Sequence, residues 1–204
     1  MTKVKICGLT RSEDILVANQ FHPDYIGFVF AKSRRQVNAA AARKLKSALD
    51  GGIKAVGVFV DDGIDVIESL IKENVIDAVQ LHGNEDEEYI TNLREKISVP
   101  IIKAVSVRSS EQVLSASRLP CDYLLLDTYI PGGQGGSGKS FDWTIIPKIQ
   151  KPYFLAGGLD CRNVADAIKM LHPYGADVSS GVETGGLKDN GKMAEFISKV
   201  RSVI

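Results

Sequence analysis

The chain has 204 residues, 44% of them hydrophobic and 25% charged, so it can bury a substantial core and has a length typical of one domain. This composition excludes disordered and fibrous proteins. The chain has 25 lysine and arginine residues and 25 aspartate and glutamate residues, and like charges form no long run. Nothing therefore indicates a surface that binds nucleic acid or a membrane. Any anion that the protein binds is expected to be small and locally held.

The cysteines and the start of the chain indicate the compartment. Cys7, Cys121 and Cys161 form neither a CxxC motif nor a Cys/His metal cluster, which is typical of free thiols in a reducing compartment. The first ten residues, MTKVKICGLT, lead into a strand pattern without the apolar region of a secretory signal. No apolar run approaches the length of about 18 residues that a membrane span needs. We expect a cytoplasmic protein.

Runs rich in Val, Ile, Leu, Tyr and Phe predict eight strands along the chain. They are VKIC (4–7), YIGFVF (25–30), KAVGVFV (54–60), DAVQL (77–81), PIIKAV (100–105), YLLLD (123–127), YFLAG (153–157) and ADVSS (176–180). Helical patterns separate most of these strands, and one more follows the last strand. The helical patterns after the fifth and sixth strands are the weakest.

This alternation predicts the fold class. Eight strand–helix repeats without a linker indicate an α/β protein with a parallel sheet that closes into a single (β/α)8 TIM barrel, one catalytic domain over residues 1–204. The alternative is a doubly wound open sheet. That fold usually has five or six strands and would leave two repeats unplaced.

A glycine-rich segment, GGQGGSGKS at residues 132–140, has the spacing of a phosphate-binding P-loop. A P-loop needs a strand that leads directly into the glycines and a helix that begins at the Lys-Ser. Here four residues separate the segment from the sixth strand, and Pro147 limits any following helix to a turn or two. A nucleotide hydrolase is therefore disfavoured, and a loop that closes over a substrate is the alternative.

Small residues follow the seventh and eighth strands, where barrel enzymes often hold phosphate. Gly157 and Gly158 come after strand seven, and Ser180 and Gly181 come at the end of strand eight. Such residues let backbone amides approach an anion closely. They could simply form tight turns, but their pairing on adjacent strands favours a phosphorylated small molecule as the ligand.

Two reactive side chains end the strands that flank this pair in a closed barrel. Cys7 ends strand one and Asp127 ends strand six, so a potential base and an acid would face each other across the mouth. Lys5 lies on the same side of its strand as Cys7, where a cation could favour the thiolate. Each residue also has a structural alternative: Cys7 as a small buried residue and Asp127 as part of a scaffold ion pair.

Motifs along the whole chain resemble the phosphoribosylanthranilate isomerase family, barrel enzymes of tryptophan biosynthesis. In this resemblance, the glycine-rich segment corresponds to the family's loop after strand six. The motifs are KICGLT (5–10), GFVFAKSRRQV (27–37), VGVFV (56–60), VQLHG (79–83), LLLDT (124–128), GGSGKSFDW (135–143), LAGGL (155–159) and DVSSGVE (177–183).

The resemblance implies an Amadori rearrangement that needs no redox or metal cofactor. N-(5-phosphoribosyl)anthranilate would become 1-(2-carboxyphenylamino)-1-deoxyribulose 5-phosphate by general acid and base catalysis. The family pattern assigns the acid to Asp127 and the base to Cys7. Asp127 must then hold its proton near neutral pH, and Cys7 must lose its proton.

The resemblance also implies substrate-binding roles. Arg35 would hold the anthranilate carboxylate, since alignment through Val37 favours it over Arg34. His82 would flank the anthranilate ring or be structural. Asp177 would support the phosphate loops, a role that rests on its position just before them. Another phosphosugar barrel and a non-catalytic phosphosugar-binding barrel remain the alternatives, and the protein would be a monomer or a homodimer.

Overall fold

The computed structural model describes residues 1–128 and 143–203, which form a closed barrel of eight parallel strands. The strands are β1 (Lys3–Cys7), β2 (Tyr25–Val29), β3 (Lys54–Phe59), β4 (Ala78–Leu81), β5 (Ile101–Val107), β6 (Tyr123–Thr128), β7 (Tyr153–Leu155) and β8 (Gly175–Val178). Pairing of β8 with β1 closes the barrel. The predicted TIM barrel and its eight strands are confirmed, and the open doubly wound sheet is wrong.

Seven α helices surround the barrel within the described ranges. They are α1 (Ser12–Phe21), α2 (Ala39–Ser47), α3 (Ile64–Lys72), α4 (Glu87–Lys96), α5 (Ser110–Ala116), α6 (Val164–Leu171) and α7 (Asn190–Arg201). Four of them begin after a side chain that accepts a hydrogen bond from the backbone N–H three residues later, which stabilises the first turn. These capping residues are Asn38, Asp86, Ser109 and Asp189.

The connection between β6 and β7 differs from the others. Residues 143–152 contain only a short 3-10 turn, Trp143–Ile145, before Pro147. This agrees with the weak helical pattern after the sixth strand. The P-loop-like segment 132–140 lies outside the described residues. None of the described helices has the length and apolar character needed to cross a membrane.

The end of β8 and the segment after it also differ from the prediction. The strand ends at Val178, so residues 179 and 180 lie outside it, and Ser180–Val182 form a 3-10 turn. Two short antiparallel strands follow, β9 (Glu183–Thr184) and β10 (Leu187–Lys188). Gly185 and Gly186 connect them with φ angles of 59° and 83°, as a tight hairpin turn requires. This β9–β10 hairpin lies at the mouth of the barrel.

An aromatic cluster fills the opposite end of the barrel interior. Phe154 packs edge-on against Tyr25 and Tyr174, with ring centroids 5.4 and 5.3 Å apart. The hydroxyls of Tyr25 and Tyr174 lie 3.0 Å apart, within hydrogen-bonding distance. Tyr25 and Tyr123 are the first residues of their strands, so the cluster closes the end of the barrel where the strands begin. This end of the barrel interior is therefore closed.

Candidate active site

Cys7 and Asp127 lie at the carboxyl ends of β1 and β6. The strand order β6-β7-β8-β1 places them on either side of the β7–β8 pair, as the sequence predicts. Cys7 is buried and packs over Gly27, where an added Cβ would lie 2.7 Å from its Sγ. The Asp127 side chain retains 21% of its exposure. The thiol is thus inside the mouth, and the carboxyl group is at its partly open surface.

A buried ion pair lies directly beneath Cys7. The Nζ of Lys5 is fully buried and lies 2.8 Å from Oδ1 of Asp177. Burial raises the pKa of the Cys7 thiol; Lys5 and Lys188 lower it, Asp177 raises it further, and the net shift is upward. Lys5 is on the expected side of the strand, but Asp177 offsets its charge. Near neutral pH, Cys7 is therefore mainly the neutral thiol.

Asp177 has a different neighbour from the one that its sequence position suggests. The sequence predicts that it supports the phosphate loops, because it precedes them directly. The structure places its carboxylate on Lys5, across the β8–β1 pair. The part of Asp177 in substrate binding stays a prediction. Its contact with Lys5 connects β8 and β1 below those loops.

The loops after β7 and β8 present backbone donors. Within residues 1–128 and 143–203, the N–H groups of Gly157, Gly158, Ser180 and Gly181 donate no backbone hydrogen bond. Gly158, Ser180 and Gly181 border a cavity of about 540 Å³ that Lys192 also lines. Unbonded amides beside a cation suit a phosphate group.

Gly181 packs against the β7 loop too closely for any side chain. A Cβ at this position would lie 2.0 Å from the backbone oxygen of Leu159. We expect Gly181→Ala to shift the loop and raise the KM for a phosphorylated substrate by about 10-fold or more. Steady-state kinetics will measure this. Gly51→Ala is the matched control, since no atom lies within 4 Å of a Cβ there, and it should leave KM unchanged. An unchanged KM in Gly181→Ala would contradict the role of this loop.

Arg34 and Arg35 both bind Glu183 of the β9–β10 hairpin, but they occupy different environments. Nε and Nη2 of Arg35 donate to the two carboxylate oxygens of Glu183 at 2.7 and 3.0 Å. The Arg35 side chain is 16% exposed, whereas that of Arg34 is 58% exposed. A Cβ on Gly8 would lie 2.4 Å from Cδ of Arg35. Arg35 therefore lies beside the strand end that carries Cys7, and Arg34 lies outside.

Glu183 and Lys188 are functional candidates that the sequence analysis missed. Nζ of Lys188 donates to Glu183 at 2.7 Å and to the Ser179 carbonyl at 2.9 Å, and its side chain is 1% exposed. Burial lowers the pKa of Lys188, although Glu183 opposes this. Burial would raise the pKa of Glu183, but Arg35 and Lys188 hold it below its ordinary value. One carboxylate thus meets three cations, which leaves positive charge for an anionic substrate.

His82 lies between two polar side chains. Its Nε2 is 3.6 Å from Oδ2 of Asp127, and its Nδ1 is 2.8 Å from the amide nitrogen of Gln80. The predicted His82 is thereby brought next to the predicted acid. The part of the chain that the structure describes contains no group of three or more His, Cys, Asp or Glu residues placed to hold a metal ion.

The fold and the site together define a class of protein. A parallel barrel whose mouth combines a carboxyl group, a thiol, glycine-rich loops and several cations is typical of the (β/α)8-barrel enzymes that act on small phosphorylated molecules.

The sequence shows the family to which the chain belongs. The family model described as N-(5'phosphoribosyl)anthranilate (PRA) isomerase matches residues 4–199, and the chain belongs to this family. The N-(5'-phosphoribosyl)anthranilate isomerase of Endomicrobium trichonymphae is 48% identical over 203 residues, which cover 100% of both chains.

Solved structures agree with this assignment. The phosphoribosyl anthranilate isomerase of Thermotoga maritima is 36% identical, with a TM-score of 0.87 over 98% of this chain and 99% of that one. A phosphoribosyl anthranilate isomerase in complex with reduced 1-(o-carboxyphenylamino)-1-deoxyribulose 5-phosphate is 33% identical, with a TM-score of 0.83 over 98% and 99%. Monomers generated from the dimeric Thermotoga maritima enzyme are 33% identical, with a TM-score of 0.82 over 99% and 100%.

Proposed function

We propose that the chain converts N-(5'-phosphoribosyl)anthranilate into 1-(2-carboxyphenylamino)-1-deoxyribulose 5-phosphate, with Asp127 as general acid and Cys7 as general base. The observation that carries this proposal is the placement of the two residues. They end the strands on either side of β7 and β8, whose loops present backbone amides that donate to no other backbone group among the described residues. A sugar phosphate held by those loops would have its ring between the acid and the base.

The first step opens the furanose ring. Asp127 gives its proton to the ring oxygen while the bond from that oxygen to C1 breaks. The electron pair of the anthranilate nitrogen forms the new C=N bond, so the product of this step is a Schiff base. Asp127 is left as a carboxylate. Its position at the partly exposed mouth, 3.6 Å from Nε2 of His82, gives the developing charge a polar neighbour.

The second step moves a proton from C2. The thiolate of Cys7 takes this proton, and the electron pair left on C2 forms an enamine with the adjacent C=N group. Cys7 returns a proton to C1 while the hydroxyl on C2 gives its proton to the Asp127 carboxylate, which forms the ketone at C2 and restores both residues. No atom or electron is gained or lost overall. Because burial raises the pKa of Cys7, the thiolate is a strong base when it forms.

The substrate has an anion at each end, and the site has a partner for each. The phosphate would bind the amides of Gly157, Gly158, Ser180 and Gly181, and the anthranilate carboxylate would bind Arg35. The guanidinium uses Nε and Nη2 for Glu183, so its other edge faces away from that carboxylate. A planar fork can bind one carboxylate along each edge.

Arg35→Lys tests whether Arg35, rather than Arg34, binds the anthranilate carboxylate. We expect this change to raise the KM by about 10- to 100-fold. A guanidinium can bind Glu183 along one edge and the substrate carboxylate along another, whereas an ammonium group cannot form two such paired contacts. Arg34→Lys is the matched control. Arg34 also binds Glu183 but is largely exposed, so its KM should stay within about twofold of the parent. A larger effect in Arg34→Lys than in Arg35→Lys would reverse the assignment.

The activity itself can be followed by fluorescence. Phosphoribosylanthranilate generated in situ should lose its fluorescence when the folded chain is added without metal. No change in the signal would contradict the isomerase and would direct the search to other phosphosugars.

The assembly and the compartment are also proposals. A monomer or a homodimer in the cytoplasm is consistent with the free thiols Cys7, Cys121 and Cys161 and with the dimeric relative of Thermotoga maritima. Light scattering over a range of concentrations will separate the two assemblies. A larger oligomer would contradict both.

A further inference from the structure

Gln80 is a buried polar residue inside the barrel that the steps above do not use. It is 1% exposed and lies on β4 in register with Val58 of β3 and Ile102 of β5, both apolar. Its amide nitrogen lies 2.8 Å from Nδ1 of His82, whereas its amide oxygen has no hydrogen-bond partner among the described residues. Burying an amide in apolar surroundings is costly, so its single contact calls for a functional reason.

The contact restricts the protonation state of His82. With the Gln80 amide nitrogen as its partner, Nδ1 accepts with its lone pair, because an amide N–H can only donate. An imidazole that accepts at Nδ1 is neutral and carries its proton on Nε2. That nitrogen faces Asp127, so the Gln80 amide determines which form of His82 the acid meets.

We propose that Gln80 is a positioning residue that keeps His82 neutral with its proton on Nε2, so that Asp127 can hold the proton it gives to the sugar. This inference rests on the proposed role of Asp127 as the acid. An imidazolium at this distance would stabilise the Asp127 carboxylate and oppose its protonation. A neutral Nε2–H has a smaller effect on the protonated acid, and it donates to the carboxylate that forms as the proton leaves.

The other charged groups that the structure describes near His82 have partners of their own. Nζ of Lys103, from β5, donates to Glu85 at 2.6 Å and to the Gly83 carbonyl at 2.7 Å. Asp61, after β3, accepts from the backbone N–H of Asn84 at 2.6 Å. These contacts fix the backbone that follows His82. Asp127 from β6 is the charged group that His82 itself approaches.

Gln80→Glu tests the inference with a change of charge and almost no change of shape. A carboxylate at this position would accept from Nδ1–H and so favour the imidazolium. We expect kcat to fall by about 10- to 100-fold while KM stays within about twofold. The limb of the pH profile of kcat that reflects Asp127 is the one that should be absent in Asp127→Asn. In Gln80→Glu this limb should move to lower pH, because the imidazolium makes Asp127 release its proton more easily. A purely structural defect would not move this limb.

Two further variants separate this effect from misfolding and from added charge. Gln20→Glu adds the same charge in the last turn of α1, where the side chain is exposed, and should keep the parental profile. Gln80→Met removes the donor without adding charge, so it should lower kcat less than Gln80→Glu and move the Asp127 limb to lower pH by a smaller amount.

Nitrogen-15 NMR reads the state of His82 directly. The chain has three histidines, so the signals of His82 are identified by their loss in His82→Asn. We expect the neutral Nε2–H form in the parent at pH 7 to 8. An Nδ1–H form or an imidazolium there would overturn the inference, as would a Gln80→Glu variant with the parental profile. An inactive parent would instead contradict the proposed function.

Discussion

Asp127→Asn is expected to lower kcat by about 1,000-fold or more, the largest effect of any substitution considered for this site. Asparagine has nearly the same shape and can still meet His82, but its amide cannot give a proton to the ring oxygen. The Asp127 side chain is partly exposed, so the change should leave the fold intact. The fluorescence assay will measure kcat, and circular dichroism will confirm folding.

The control for this change is Asp65→Asn, which makes the same replacement at a side chain that is 88% exposed on α3. It should keep the parental rate. A residual kcat above about one tenth of the parent in Asp127→Asn would assign the acid to another group, because general acid catalysis is worth far more than tenfold.

Cys7→Ser is expected to lower kcat by a similar factor, about 100- to 1,000-fold. The serine hydroxyl fills nearly the same volume but does not ionise in the accessible pH range. The matched control is Cys121→Ser, the same change at another buried cysteine outside the site. That control should retain normal activity, although it can lose some stability.

The pH dependence of Cys7 is best read in the Asp127→Asn variant, where the proposed acid no longer titrates. Burial raises the pKa of Cys7, so the thiolate is a minor species at neutral pH and its fraction grows with pH. The residual kcat/KM should therefore rise about tenfold per pH unit and level off only above the pH at which an ordinary thiol ionises. A Cys7→Ser variant whose profile matches that of the parent would contradict the assignment of the base.

The fold and the main features of the site could be predicted from the sequence because they depend on periodicity. Side chains alternate along a strand, and the ends of parallel strands meet at one face of a barrel. These two rules bring together Cys7, Asp127 and the loops after β7 and β8 without knowledge of any distance.

The remaining features depend on register and depth, which the sequence does not encode locally. Lys5 and Asp177 pair because β1 and β8 align them, so the charge expected beside Cys7 is largely offset. The upward shift of the Cys7 pKa depends on how deeply the thiol is buried. Glu183 and Lys188 were missed because two-residue strands show no alternation, although the Gly185-Gly186 pair is a turn signal that could have revealed their hairpin.

The β9–β10 hairpin has a consequence for substrate choice. Ser179 donates to the Cys7 carbonyl at 2.9 Å, and four residues later Glu183 fixes the fork of Arg35. One short stretch of backbone therefore connects the loop proposed for the phosphate with the residue proposed for the carboxylate. Lys188 of the hairpin binds both ends of this stretch, the Ser179 carbonyl and the Glu183 carboxylate. We therefore expect a change in the hairpin to alter the spacing of the two proposed anion sites, and with it the distance between charged groups that a bound molecule must have.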